Sequence, residues 1–209
     1  FVLVNGIKYF VQRYTQMHNK RKHWTQFCWC ASLVTPKLLH YTAPVLRAST
    51  DSLVTSMNEL QYIKFDSVDE NEFISILNRQ RIREHLIEHD FFDGNSIRDW
   101  IELKMSVDST PGCKIRAIKF EGKLIGWCGI QLELEKYEIA IVLDHTAWGK
   151  GKRVFADLMA WAKELGHKDI FINLLHSRRE NRYLARMAIN ISHSEIHGSK
   201  FTTYQINLN

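Results

Sequence analysis

The densest chemical signal in the chain is Gly149-Lys150-Gly151-Lys152-Arg153, preceded by Trp148. It lies between an apolar run, Ile139-Ala140-Ile141-Val142-Leu143, and a segment with helical spacing that begins near Lys152. A strand that breaks on glycines and feeds a helix leaves several backbone N–H groups without partners. Those donors sit at the positive end of the helix dipole, where an anion, typically a phosphate, is stabilised. Two glycines let the backbone approach a ligand closely, and Lys150, Lys152 and Arg153 add positive charge. Trp148 to Arg153 is thus a candidate phosphate cradle. A Walker A loop would need a Ser or Thr after its lysine, but Val154 follows Lys152-Arg153. A dinucleotide fingerprint would need a third glycine where Val154 stands. The bland alternative is a plain strand-to-helix turn.

Other reactive side chains carry weaker signals. His85 and His89 share a helical face at i, i+4, but the His-Glu-x-x-His order and a third ligand are missing. That pair reads as a solvated face, and no metal is expected. Cys128, beside Trp127, reads as a small buried hydrophobe because the sequence places no histidine to activate it.

The elements that must position the cradle follow from periodicity. Leu60 to Phe65 alternates as a strand, and Asp69 can cap a helix through Phe73, Ile74 and Leu77, continuing towards Leu86. A second helix fits Ser96 to Met105, ended by Pro111-Gly112. Lys114–Phe120 and Leu124–Ile130 read as strands joined by a tight turn at Glu121-Gly122, and Tyr137–Leu143 as a third. After the cradle, Val154, Phe155, Leu158, Ala162 and Leu165 share a helical face that Gly166 closes. Asp169–Leu175 is a strand, Arg179–Ile189 a helix and Phe201–Leu208 a last strand. The expected order is β-α-α-β-β-β-α-β-α-β, a mixed α/β (α+β) domain with a mostly antiparallel central sheet flanked by helices.

Charge is divided unevenly. Residues 1–56 hold seven Lys/Arg and one acid, whereas residues 57–209 hold 21 Lys/Arg and 22 Asp/Glu, so the net +5 belongs to the first quarter. That quarter also lacks sustained periodicity, and regular patterning starts at Met57. Two readings stand for residues 1–56: non-native upstream sequence before a start at Met57, or a basic aromatic arm for nucleic acid. The division expected is an extension over 1–56 and a domain over 57–209. The remainder carries no overall attraction to nucleic acid. No apolar run approaches the ~20 residues that span a membrane, so no membrane partner is expected. The four cysteines form neither a CxxC pair nor a zinc spacing, which predicts reduced thiols and a cytoplasmic location.

The element order, with the cradle after the fourth strand, resembles the GNAT acetyltransferase family. The resemblance covers most of 57–209 and is carried by Gly-Trp-Cys-Gly-Ile-Gln (126–131), Tyr-Glu-Ile-Ala-Ile-Val-Leu (137–143) and Trp-Gly-Lys-Gly-Lys-Arg-Val-Phe (148–155). It implies that Trp148, Gly149, Lys150, Gly151, Lys152 and Arg153 bind the pyrophosphate of acetyl-CoA. The pantetheine arm would pair with the strand backbone near Val142 and Leu143, and Asn181 is carried over as a further cofactor contact. The chain departs from the family where Trp148 and Arg153 occupy the ends of the loop motif. It departs again where Ala188 stands at the place of a tyrosine acid, and where Ser192-His193 replaces a Gly-Phe ending.

What the resemblance implies is direct acetyl transfer to a primary amine, with neither covalent intermediate nor metal. A lysine amine costs about 4–5 kcal/mol to deprotonate at pH 7 and an α-amine about 1 kcal/mol, so the first needs a base. Glu138 is the leading candidate for that base, with Asp144 and His145 as loop-adjacent rivals that also read as turn residues. Tyr183 is the candidate acid for the departing thiolate, and Phe91, Phe92 and Trp100 fall where the acceptor pocket or the core would be. The acceptor is a small-molecule or peptide amine, and a homodimer through the last strand is open. The rival from another class is an acyl-CoA binding or sensing domain without chemistry.

Overall fold

Glu121 and Gly122 both adopt positive φ, 51° and 75°, which makes their two-residue loop a type I′ turn. That turn sets the register of the central hairpin. The computed structural model describes residues 2–3, 59–84, 86, 89–133, 135–147, 149–176, 181–196 and 199–209, the first pair as backbone only. The extension expected over 1–56, apart from Val2 and Leu3, lies outside the described residues, as do Trp148 and His85. The strands are β1 (Val2–Leu3), β2 (Leu60–Ile63), β3 (Lys114–Phe120), β4 (Lys123–Glu133), β5 (Lys136–Leu143), β6 (Asp169–Leu175), β7 (Asn190–Ile196) and β8 (Ser199–Asn207). The α-helices are α1 (Glu70–Leu77), α2 (Gln80–Arg83), α3 (Gly94–Asp108), α4 (Gly151–Glu164) and α5 (Arg182–Met187).

Caps explain the helix boundaries. Asp69 accepts from the Asn71 N–H at 2.8 Å and starts α1 as the sequence predicts. α1 stops earlier than predicted because the Asn78 amide exchanges two 2.8 Å hydrogen bonds with the Phe92 backbone, mimicking a strand pair and turning the chain. α3 begins at Gly94 rather than Ser96, because Asp93 is the cap and Ser96 closes a reciprocal capping box. α5 is shorter than predicted, since Asn181 caps it.

The sheet runs β2-β3-β4-β5-β6-β8-β7, with β1 added beside β5. Among the described strands only β5 and β6 run parallel. β7, which periodicity does not reveal, pairs with β8 along its whole length. Its Ser192-His193-Ser194 core lacks the apolar alternation that marks a buried strand. α1 and α3 cover one face, packing Phe73, Leu77, Ile97 and Trp100 on Trp127, Ala140 and Val142. α4 covers the other, with Val154, Phe155 and Leu158 on Cys128, Ile139, Ile141 and Ile172. Cys128 is therefore core, and burial pushes its thiol up. Among the described residues no helix is long and apolar enough to cross a membrane.

A bulge shapes the end of β5. Ile118 and Lys119 pair with Gly126 and Leu124, which leaves Ile125 as the extra residue on β4. The Ile125 carbonyl accepts from the Asp144 N–H at 2.8 Å, tying the bulge to the residue that leads into the cradle. Gly126 has φ +149°, and a Cβ there would stand 1.9 Å from the Val142 carbonyl oxygen. Gly126→Ala is expected to lower the unfolding free energy by on the order of 2–4 kcal/mol, read from urea denaturation.

Candidate functional site

The site grows from the place where the sheet opens. β5 and β6 are in register at a single pair, Glu138 with Phe171. Towards Leu143 the two strands part, and β1 lies in the opening, antiparallel to β5. β5 then runs through Asp144 and a 3₁₀ turn (His145–Ala147) to Gly149, whose φ of +90° lets the chain reverse into α4.

The α4 N-terminus has the features an anion needs. Its cap residue, Lys150, makes no side-chain cap, and the Lys150 N–H itself donates to the Ala147 carbonyl at 3.1 Å. The N–H groups of Gly151, Lys152 and Arg153 open the helix with no acceptor within it. Gly151 is buried there, while Lys152 is exposed. The other two cations already have partners: the Lys150 ammonium rests 3.5 Å over the Phe120 ring, and Arg153 donates to Asp157 at 3.1 Å. Asp157 also accepts from the Tyr62 hydroxyl at 2.6 Å.

Asp144 anchors the entry to this turn. Its carboxylate accepts from Arg79, from the Thr146 hydroxyl at 2.7 Å and from His145 Nδ1 at 2.8 Å. Burial alone would push its carboxyl up, but those hydrogen bonds and the Arg79 charge outweigh it and hold it well below the usual carboxylate range. A carboxylate so stabilised is a poor proton acceptor near neutral pH, so Asp144 is a structural anchor. His145 is one of its partners.

Glu138 sits at the mouth of the split on the α3 side of the sheet, only 7% exposed. Asn173 on β6 donates to Glu138 Oε1 at 2.5 Å, and the Thr203 hydroxyl on β8 donates to Asn173 Oδ1. Gln131 on β4 is the direct cross-strand partner of Glu138. The alternation of β4 and β5 puts Gln131, Glu133 and Glu138 on one face, so a polar row crosses the sheet from β4 to β8. Of this row the sequence reading singled out Glu138 alone. Asn173, within the apolar strand Asp169–Leu175, was the available signal.

The row extends into α3 through Lys104, which the sequence reading also missed. Lys104 is 2% exposed, donates to Gln131 Oε1 at 2.8 Å and stands 4.8 Å from the Trp127 ring centre. Gln131 Nε2 lies 3.5 Å from Glu133 Oε1. Burial pushes the Lys104 ammonium down to about 7, opposed by the Glu133 charge.

The remaining candidates are dispersed. Val142 and Leu143 lie on β5 where it parts from β6, both buried, and Val142 pairs with Val2 of β1. Asn181 spends its side-chain carbonyl on the α5 cap, accepting from Tyr183 and Leu184 N–H groups at 3.1 and 3.2 Å. Tyr183 is 53% exposed and edges onto Phe155 of α4, on the opposite face from Glu138. Phe92 and Trp100 are core, whereas Phe91 is exposed under the Arg83 guanidinium. Among the described residues no group of three His, Cys, Asp or Glu is arranged to hold a metal.

Lys104 gives a signed pH dependence. Between about 7 and the ordinary lysine value of 10.5 the native state releases a proton that the unfolded chain keeps. This group therefore makes stability rise with pH across that window. Lys104→Met is expected to remove that rise, measured as urea unfolding free energies from pH 6 to 10.

Neither a family model nor a curated protein sequence matches the chain. Solved structures do match. An N-acetyltransferase from Staphylococcus aureus aligns at 15% identity and TM-score 0.51, over 72% of this chain and 98% of that one. A ribosomal-protein-alanine N-acetyltransferase from Brucella melitensis aligns at 13% identity and TM-score 0.54, over 71% and 99%. A microcin self-immunity acetyltransferase, solved with acetyl-CoA and AMP, aligns at 16% identity and TM-score 0.52, over 71% and 92%. With the strand order, the β5–β6 split and the glycine turn into α4, these likenesses establish that the chain has the fold of the GNAT acetyltransferases.

Proposed function

We propose that this protein is an N-acetyltransferase that moves the acetyl group of acetyl-CoA to a primary amine by direct transfer. The observation that carries this reading is the alignment of three features: an α4 N-terminus at Gly151 without a side-chain cap, a β5 edge near Val142 that β6 leaves to the two-residue β1, and a buried carboxylate at Glu138. From Leu143 back to Glu138 is five residues, roughly 17 Å of strand. A linear donor anchored by its phosphates at α4 and extended along β5 brings its far end to Glu138. The solved neighbour that holds acetyl-CoA supports this choice of donor.

The residues fit such a donor. Gly151, Lys152 and Arg153 N–H groups, with the Lys152 charge, hold the pyrophosphate at the positive end of α4. Lys150 and Arg153 swing from Phe120 and Asp157 to join them, and Trp148 and Asn181 complete the cofactor contacts. The β5 backbone at Val142 and Leu143 pairs with the amides of the arm and polarises the thioester carbonyl. Acetyl-CoA supplies an activated acyl group whose leaving thiol is a good one.

Glu138 acts on the acceptor. Asn173 orients its carboxylate and Thr203 orients Asn173, so one oxygen is fixed while the acceptor ammonium gives up its proton. The free amine attacks the thioester carbon, its nitrogen gives up a second proton as the C–S bond breaks, and the sulfur leaves as a thiolate that takes a proton. Tyr183 is the acid carried over for that last proton. It stands on the opposite face of the sheet from Glu138, against Phe155.

Two variants test the reading. Glu138→Gln is expected to lower kcat about 10²- to 10⁴-fold while leaving acetyl-CoA affinity within about threefold. Equal turnover in parent and variant would remove Glu138 from the role of base, whereas binding with no turnover in either would fit a domain that binds acyl-CoA without chemistry. Reversing Lys150, Lys152 and Arg153 to Glu is expected to weaken acetyl-CoA binding by calorimetry roughly 10- to 100-fold.

A further inference from the structure

One edge of the sheet has two claimants. Val2 and Leu3 form a strand antiparallel to β5, with Val2 opposite Val142 and Leu3 opposite Ile141. β1 also contacts β6, so it lies within the split and not on an outer edge of the sheet. The route of the donor runs from the α4 N-terminus to Glu138, and it passes the same two β5 residues. A backbone edge offers each N–H and C=O once, so a peptide strand and an extended diamide arm cannot both pair with it.

We infer that the N-terminal strand is a built-in competitor of acetyl-CoA: β1 occupies the β5 edge in the cofactor-free protein and must leave before the donor can pair there. This rests on the proposed donor site. The shared feature is extended backbone geometry, since pantetheine, like a peptide, presents amides at spacings that suit a strand edge. The opening exists because β5 and β6 meet only at Glu138 and Phe171. In an otherwise paired sheet, that gap is where an interior strand edge is left unused, and covering it satisfies buried polar backbone.

The occupancy is self-limiting. β1 contributes two paired residues against a long neighbouring ladder, so its hold is modest and a ligand with a second anchor on α4 can displace it. Affinity for acetyl-CoA then depends on a part of the chain that belongs to neither the cradle nor the polar row around Glu138. The apparent dissociation constant is the intrinsic one divided by the fraction of molecules with the edge uncovered.

The test uses the full chain. The double variant Val2→Pro/Leu3→Pro removes both backbone donors of β1 and cannot pair as a central strand, while Val2→Ala/Leu3→Ala keeps them. Calorimetric titration with acetyl-CoA is expected to show roughly 5- to 50-fold tighter binding for the proline variant than for the alanine variant. Without ligand, amide exchange over Ile141–Val142 is expected to be faster in the proline variant. Equal affinities, with binding still lost on reversing the three cradle cations, would overturn the competitor role and leave the donor site standing. Unchanged exchange over Ile141–Val142 would also overturn it, since β1 would then not cover that edge. No binding in any variant would overturn both readings.

Discussion

The whole arrangement depends on one parallel contact in an antiparallel sheet. Neighbouring antiparallel strands can zip along their full length, as β4 with β5 and β6 with β8 do. β5 and β6 are joined by the crossover through α4, so they run parallel and meet at one residue pair only. Every other feature of the site is placed by that fact. The parting strands leave a slot, the crossover puts the start of α4 at one end of it, and the single pair puts Glu138 at the other. A sheet that stayed closed would bury the β5 edge and separate the helix dipole from the carboxylate.

The polar row on the α3 side is the second element of the design. Buried polar groups are costly unless they are satisfied, and here Thr203, Asn173 and Glu138 form a chain of donors and acceptors. Lys104, Gln131 and Glu133 form another beside it. The apolar shell of Trp100 and Trp127 isolates these groups from water, which strengthens each interaction and narrows the geometries available to Glu138. Among the described residues neither buried indole N–H has a hydrogen-bond partner, a cost consistent with a region shaped by more than packing.

The sequence made the layers legible because their periods were strong. The α4 face of Val154, Phe155 and Leu158 and the strands Lys114–Phe120 and Asp169–Leu175 stand where periodicity puts them. It lost β7, whose edge position lets Ser192, His193 and Ser194 alternate without apolar residues, and β1, which has two residues. The cradle was readable because glycines and cations are adjacent in sequence. The row around Glu138 was not, since Lys104, Gln131, Asn173 and Thr203 come from four elements and meet only across the sheet. Asp144 reads as a turn residue, and only the structure reveals how many donors converge on it.

That convergence has a mechanical side. Arg79 stands at the corner between α1 and α2, the helices that cover the Glu138 side of the sheet, whereas Asp144 is the last residue before the cradle turn. Their ion pair is a strut across the end of β5. If an anion at α4 shifts the corner through this strut, linkage requires a guest leaning on the corner to shift the anion's affinity by the same free energy. Donor and acceptor would then sense one another without touching, through a single guanidinium and a carboxylate too acidic to let go of it.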